Sequence, residues 1–203
     1  LGGKARGLAF MNSMLVKYCQ YAKYENVRVT IPRTVVVATG YFDAFIRNNG
    51  LEYVLTTEMT DEEILSEFVS STLPYKLREA LKAYVRTVSG PLAVRSSSKL
   101  EDSHYQPFAG IYSTYMIPYT EGNEDRQLRL LQKAIKSVYA STYFAASKAY
   151  VQSSQNLIAE EKMAVVIQEV CGTEQDGLFF PTLSGVARSI NYYPIGDETP
   201  EEG

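Results

Sequence analysis

The chain has 203 residues, 45% of them hydrophobic, enough for a substantial core in one large domain or two intimate lobes. Its net charge of −3 arises from scattered rather than blocked charges, which excludes the basic stripe of a nucleic-acid binder. No apolar run is long enough to cross a membrane and the opening does not read as a secretory leader, so the expected compartment is the cytoplasm, with Cys19 and Cys171 as buried thiols.

Leu1, Ala5, Leu8, Met11 and Leu15 recur at helical spacing around Gly2-Gly3, which predicts a helix from Lys4 to about Tyr21. Val27 to Val37 alternates and is β-branched, a strand that Pro32 kinks or confines to an edge. Tyr41 to Asn48 reads as a short helix stopped by Asn49-Gly50. Thr60, with Glu63 three residues on, opens another helix through a capping box. Asp61, Glu62 and Glu63 therefore read as a solvated first turn rather than a metal site. Leu77, Leu81 and Tyr84 mark a further helix after Pro74. Pro91 to Arg95 is a short apolar strand breaking into a polar loop at Ser96-Ser97-Ser98, and a strand resumes from Gly110 to Pro118. Leu128, Leu131, Ile135, Val138, Thr142, Ala146 and Ala149 outline one long helix, with Tyr139, Tyr143 and Tyr150 on a packed face. Met163 to Gln168 is a buried strand, and a turn over Gly172 to Gly177 leads into a last strand between Phe179 and Ile190. Strand pairs joined by short loops imply antiparallel pairing with helices between the pairs, an α+β fold. Both ends read as boundaries within a longer polypeptide, and 196–203 as a flexible tail.

Three segments combine glycine, hydroxyl and basic residues at the ends of predicted elements, where phosphates are commonly held. Gly2-Gly3-Lys4 opens a helix, whose free N–H groups and dipole attract an anion. Taken alone, such a start is more often a flexible end with a solvated lysine. Arg95 ends a strand, and its planar fork suits phosphate as well as it suits pairing with Glu101 or Asp102. Phe108-Ala109-Gly110, followed by Ser113 and Thr114, can bring N–H groups against phosphate oxygens, although an ordinary hairpin has the same composition. No Walker-type phosphate loop occurs. His104, the only histidine, reads as a loop residue bonded to a neighbour or water.

The ordered set is more specific than any member. Leu1-Gly2-Gly3-Lys4-Ala5, Ile31 to Thr39, Tyr41 to Arg47, Asn49-Gly50-Leu51, Arg95-Ser96-Ser97 with Glu101-Asp102 and Phe108-Ala109-Gly110, Met163 to Gln168, and Ser184 to Ala187 together resemble the pyruvate phosphate dikinase/phosphoenolpyruvate synthase family across nearly the whole chain. The resemblance implies an ATP-grasp-like nucleotide-binding lobe with a mixed, largely antiparallel sheet and flanking helices. It implies that residues 1–203 are the N-terminal part of that domain. Lys4, Arg95, Gly110 and Thr114 then fall on the family's ATP-phosphate contacts, and Gln168, Glu169 and Cys171 on the strand-to-hinge segment that meets adenine.

Further implications concern the reaction. A phosphotransferase of this kind passes a phosphoryl group from ATP through a histidine on another domain to a small acceptor such as pyruvate. The magnesium ligands, the phosphohistidine domain and the acceptor domain are expected downstream, so this chain alone is expected to be inactive, with no catalytic or metal-binding residue of its own. The family usually carries Pro-Gly where Arg33-Thr34 stand, and an aromatic or aliphatic residue at Arg188. These departures are compatible with an alternative, a catalytically decayed nucleotide-binding or interaction module.

Overall fold

A computed structural model of the chain describes residues 1–19, 23–98, 112–153, 162–186, 190–191, 196 and 199–201. It separates into two compact units, Leu1–Val170 and Cys171–Gly203.

The first unit contains α1 (Gly3–Lys17), β1 (Thr34–Val37), α2 (Thr39–Asn49), a 3₁₀ turn (Leu51–Leu55), α3 (Asp61–Ser70), α4 (Tyr75–Val85), β2 (Leu92–Ser97), β3 (Thr114–Ile117), α5 (Glu124–Ser141), α6 (Ala145–Ser153) and β4 (Ala164–Glu169). The strands form one sheet in the order β1-β4-β2-β3, and every neighbouring pair is antiparallel. The α+β class with a largely antiparallel sheet and flanking helices is thus the observed one.

Strand periodicity divides the sheet into two unlike faces. Val35, Val37, Leu92, Val94, Ile117, Val165 and Ile167 share one face and pack with Phe42, Phe45 and Ile46 of α2 and Leu131, Ile135 and Val138 of α5. The opposite face carries Thr34, Val36, Ala93, Arg95, Thr114, Met116 and Gln168, none of them buried and Met116 63% exposed, around Val166, which is buried between Val36 and Arg95. That face closes toward Ser97, which is 0% exposed where α1 meets β2.

Local signals account for several boundaries. Thr60 and Glu63 form the expected capping box on α3. Gly50 ends α2 in the left-handed conformation (φ 62°), which costs glycine little. Tyr139 and Tyr143 are buried as expected, in an aromatic cluster with Phe42, Phe45 and Phe68.

Other expectations are corrected. The strand expected over Val27 to Val37 is only Thr34–Val37, because β1 has a single neighbour and β4 supplies partners to those four residues alone. Ser96 and Ser97 are not loop: they continue β2 opposite Val165 and Ala164 and are buried. The long helix is two. Its break follows Ser141, whose carbonyl accepts from the Ser147 hydroxyl at 2.6 Å, while the Asp61 carboxylate accepts from the Ala145 N–H at 2.8 Å. Side chains thereby replace the backbone partners of a continuous helix. The first helix ends at Lys17, short of the expected Tyr21.

Cys19 and Cys171 are both exposed free thiols, not buried ones. Cys19 follows the end of α1, a helix whose only buried residues are Gly3 and Ala5, so no packed layer covers it. No helix among the described residues is long and apolar enough to cross a membrane.

In the second unit, β5 (Thr173–Gln175) and β6 (Leu178–Phe180) form a hairpin. Its turn residues Asp176 and Gly177 both have positive φ, 52° and 78°, as a two-residue turn matched to strand twist requires. Of the last strand expected between Phe179 and Ile190, the described residues show β6 alone, which ends at Phe180; 187–189 lie outside the described residues.

Candidate functional site

The open sheet face and the start of α1 bring together the first two segments singled out in the sequence. Gly2 is the N-cap of α1, and its backbone lies directly on Ser97. The Gly3 N–H donates to the Ser98 carbonyl at 3.1 Å, and the Ala5 N–H donates to Ser97 Oγ at 3.1 Å. Two first-turn amides thought available for an anion are therefore used inside the protein, with Ser97 capping the helix from another element. The side chain of Lys4 is half-buried in the same turn.

Two positions before Ser97 on the same face, Arg95 is exposed, and its cross-strand partner is Thr114 of β3, also exposed. Directly opposed antiparallel residues have Cβ atoms about 4.5–5.5 Å apart, so the guanidinium and the hydroxyl serve one patch of the face. A planar cation and a hydroxyl on one patch are donors suited to phosphate oxygens. Gly110 lies outside the described residues, as do His104, Glu101 and Asp102.

The strand-to-hinge residues divide. Gln168 lies on the open face opposite Ala93 and Thr34, and its amide Nε2 donates to Thr34 Oγ1 at 2.9 Å. Thr34 Oγ1 in turn donates to the Pro32 carbonyl at 2.7 Å. Glu169 pairs with Leu92 and so lies on the helix side, away from Arg95 and Thr114. Its carboxylate is 3.3 Å from Arg33 Nε, and its N–H donates to the Arg33 carbonyl at 2.9 Å. Cys171 begins the second unit.

Arg33, Thr34, Ser97 and Ser98 contact these segments, and sequence reasoning did not single them out as site residues. Arg33 Nη1 also donates to the Thr87 carbonyl at 2.5 Å, beyond the end of α4. Nearby, burial and then the charge of Glu169 push the Tyr84 hydroxyl up to about 12, with Arg33 acting in the opposite direction. The departure from Pro-Gly was the one available signal: a side chain replacing a turn residue needs a partner, and both found theirs on β4. Among the described residues, no group of three or more His, Cys, Asp or Glu side chains forms a metal-binding cluster.

A family model described as pyruvate phosphate dikinase, AMP/ATP-binding domain, matches residues 1–203. A Bacillus subtilis (strain 168) protein named uncharacterized phosphotransferase YvkC is 31% identical over 157 residues, covering 74% of this chain and 17% of the relative. A phosphoenolpyruvate synthase of Aeropyrum pernix is 29% identical over 202 residues, covering 89% of this chain and 22% of the relative. The chain thus spans about a fifth of the length of these curated relatives.

Proposed function

The chain belongs to the pyruvate phosphate dikinase AMP/ATP-binding domain family, and from that membership we propose that it is the N-terminal part of an ATP-grasp domain holding ATP for a dikinase-type phosphotransferase. The observation that carries this reading is the cross-strand pair Arg95–Thr114 on an open sheet face, beside the docked start of α1 that bears Lys4. Arg95 grips phosphate oxygens through two parallel N–H groups, Thr114 adds a hydroxyl and Lys4 a positive charge. Gly110 belongs to the loop that covers the phosphates. The end of β4 at Gln168 and Glu169, with Cys171 two positions on, meets the adenine ring.

Phosphoryl transfer needs little covalent help from the protein, so positioning and charge neutralisation are the contribution of these residues. Other parts of the polypeptide supply the magnesium ligands, the histidine that receives the phosphoryl group and the site for a small acceptor such as pyruvate. The cytoplasm is the proposed compartment.

The test is Arg95→Lys and Arg95→Ala in the full polypeptide, with ATP affinity and thermal stability read together. A charge-assisted hydrogen bond contributes roughly 1.5–3 kcal/mol, so alanine should weaken ATP binding by about one to two decades, lysine by less, with stability nearly unchanged. Lost stability with unchanged affinity would instead mean that Arg95 anchors its own loop, and the phosphate assignment would fall.

A further inference from the structure

We infer that Arg33 is a positioning residue for the base: by joining Glu169 to the Thr87 carbonyl, it presets the exit of β4 for a purine ring. The inference rests on the reading that the end of β4 meets adenine.

Three features of the geometry carry it. The exit of β4 is held by backbone bonds on both sides, from Glu169 N–H to the Arg33 carbonyl and from Val170 N–H to the Pro91 carbonyl, each 2.9 Å. Side chains then bracket Glu169 and its predecessor on opposite faces, Arg33 as an ion pair with the Glu169 carboxylate from the helix side and Thr34 accepting a hydrogen bond from Gln168 on the open side; Glu169 Oε1 itself makes no hydrogen bond among the described residues. Finally, Arg33 extends the clamp beyond the strand pair, because its Nη1 reaches the segment after α4 at Thr87.

A guanidinium suits this role. Its broad planar cation can neutralise a carboxylate with one edge while another N–H donates to a carbonyl, whereas a compact ammonium cannot serve both in fixed directions. The Glu169 side chain is 19% exposed and that of Arg33 52%, so the carboxylate is the sheltered partner and the arginine its neutralising cover. A base recognised by backbone groups tolerates little displacement of those groups, since hydrogen bonds weaken steeply with angle. Arg33 therefore touches no ligand and acts through the strand.

The experiment compares ATP, GTP and inorganic tripolyphosphate binding to the full polypeptide carrying Arg33→Ala, Arg33→Lys, Glu169→Gln or both Arg33→Ala and Glu169→Gln. Arg33→Ala should weaken ATP binding about five- to tenfold and shrink the ATP-to-GTP preference by a similar factor, a loss in the range of coupled neighbours. Tripolyphosphate, which has no base, should bind as to the unaltered protein. Arg33→Lys should fall between, and the double variant should be no worse than Arg33→Ala alone. Equal weakening of ATP and tripolyphosphate, or an unchanged ATP-to-GTP ratio, would overturn the positioning role. Wild-type protein that binds tripolyphosphate as tightly as ATP would instead overturn the base-site reading on which the role depends.

Discussion

Gly2→Ala adds one methyl group where none fits. The Gly2 backbone, at φ −73° and ψ 179°, is one that alanine adopts freely, so the penalty is steric rather than conformational. A Cβ there would lie 1.6 Å from the Ser97 carbonyl oxygen and 2.1 Å from its carbon. Both atoms belong to β2, which is paired with β4 at Ser97, so the first turn of α1 must yield rather than the strand. Lifting that turn breaks the Gly3–Ser98 and Ala5–Ser97 hydrogen bonds. At about 0.5–1.5 kcal/mol each, their loss costs about 1–3 kcal/mol, and a helix that stays docked under strain pays a similar overpacking penalty. Thermal unfolding should fall by roughly 2–4 °C per kcal/mol. Hydrogen exchange should accelerate at the Gly3 and Ala5 amides, and ATP affinity should drop because Lys4 rides on the displaced turn. Gly7→Ala is the control. It lies in the same helix with nothing within 4 Å of its added Cβ, and should stabilise by about 0.5–1 kcal/mol. Wild-type stability and unchanged protection at Gly3 and Ala5 in Gly2→Ala would refute the close docking of α1 on β2.

Two further expectations concern stability. Thr60→Ala should cost about 1 kcal/mol by urea unfolding at neutral pH. The Thr60 backbone N–H, and then its hydroxyl, hold the Glu63 carboxyl below the usual carboxylate range. A depressed folded pKa gives stability that is present above the unfolded value and lost as pH falls through the folded one, so the gap should narrow in acid as the hydroxyl–carboxylate bond is lost, without closing, because Thr60 Oγ1 still accepts from the Glu63 N–H. A gap independent of pH would contradict the bond between the Thr60 hydroxyl and the Glu63 carboxylate. Tyr139→Phe should be neutral or stabilising by up to about 1 kcal/mol, because the buried hydroxyl of Tyr139 has no hydrogen-bond partner among the described residues. Burial, then Asp43, raises that hydroxyl above its ordinary range, so its contribution is intact below about pH 10 and lost as pH rises. The phenylalanine variant should therefore outlast wild type in alkaline urea unfolding, and a loss above about 1 kcal/mol would reveal an unrecognised bond.

The sequence by itself determined what depends on neighbours within a turn or two of chain. Thr60 with Glu63, Asn49-Gly50 and the apolar run from Met163 to Ile167 each declare a cap, a stop or a strand, because the interacting groups are local. The ordered motifs likewise made the family legible, and with it the antiparallel α+β class. Tertiary structure alone decided which face meets the helices, and so turned Glu169 toward Arg33 and left Gln168 beside the open patch. It also decided that Ser97 is a buried helix cap and not a loop residue, through a bond across 92 positions. Asp61 splits a seemingly continuous helix from 84 positions away, and Thr34 meets Gln168 across 134. Such partners leave no periodic trace, because a hydrogen bond between distant segments constrains one residue at each end and nothing between them.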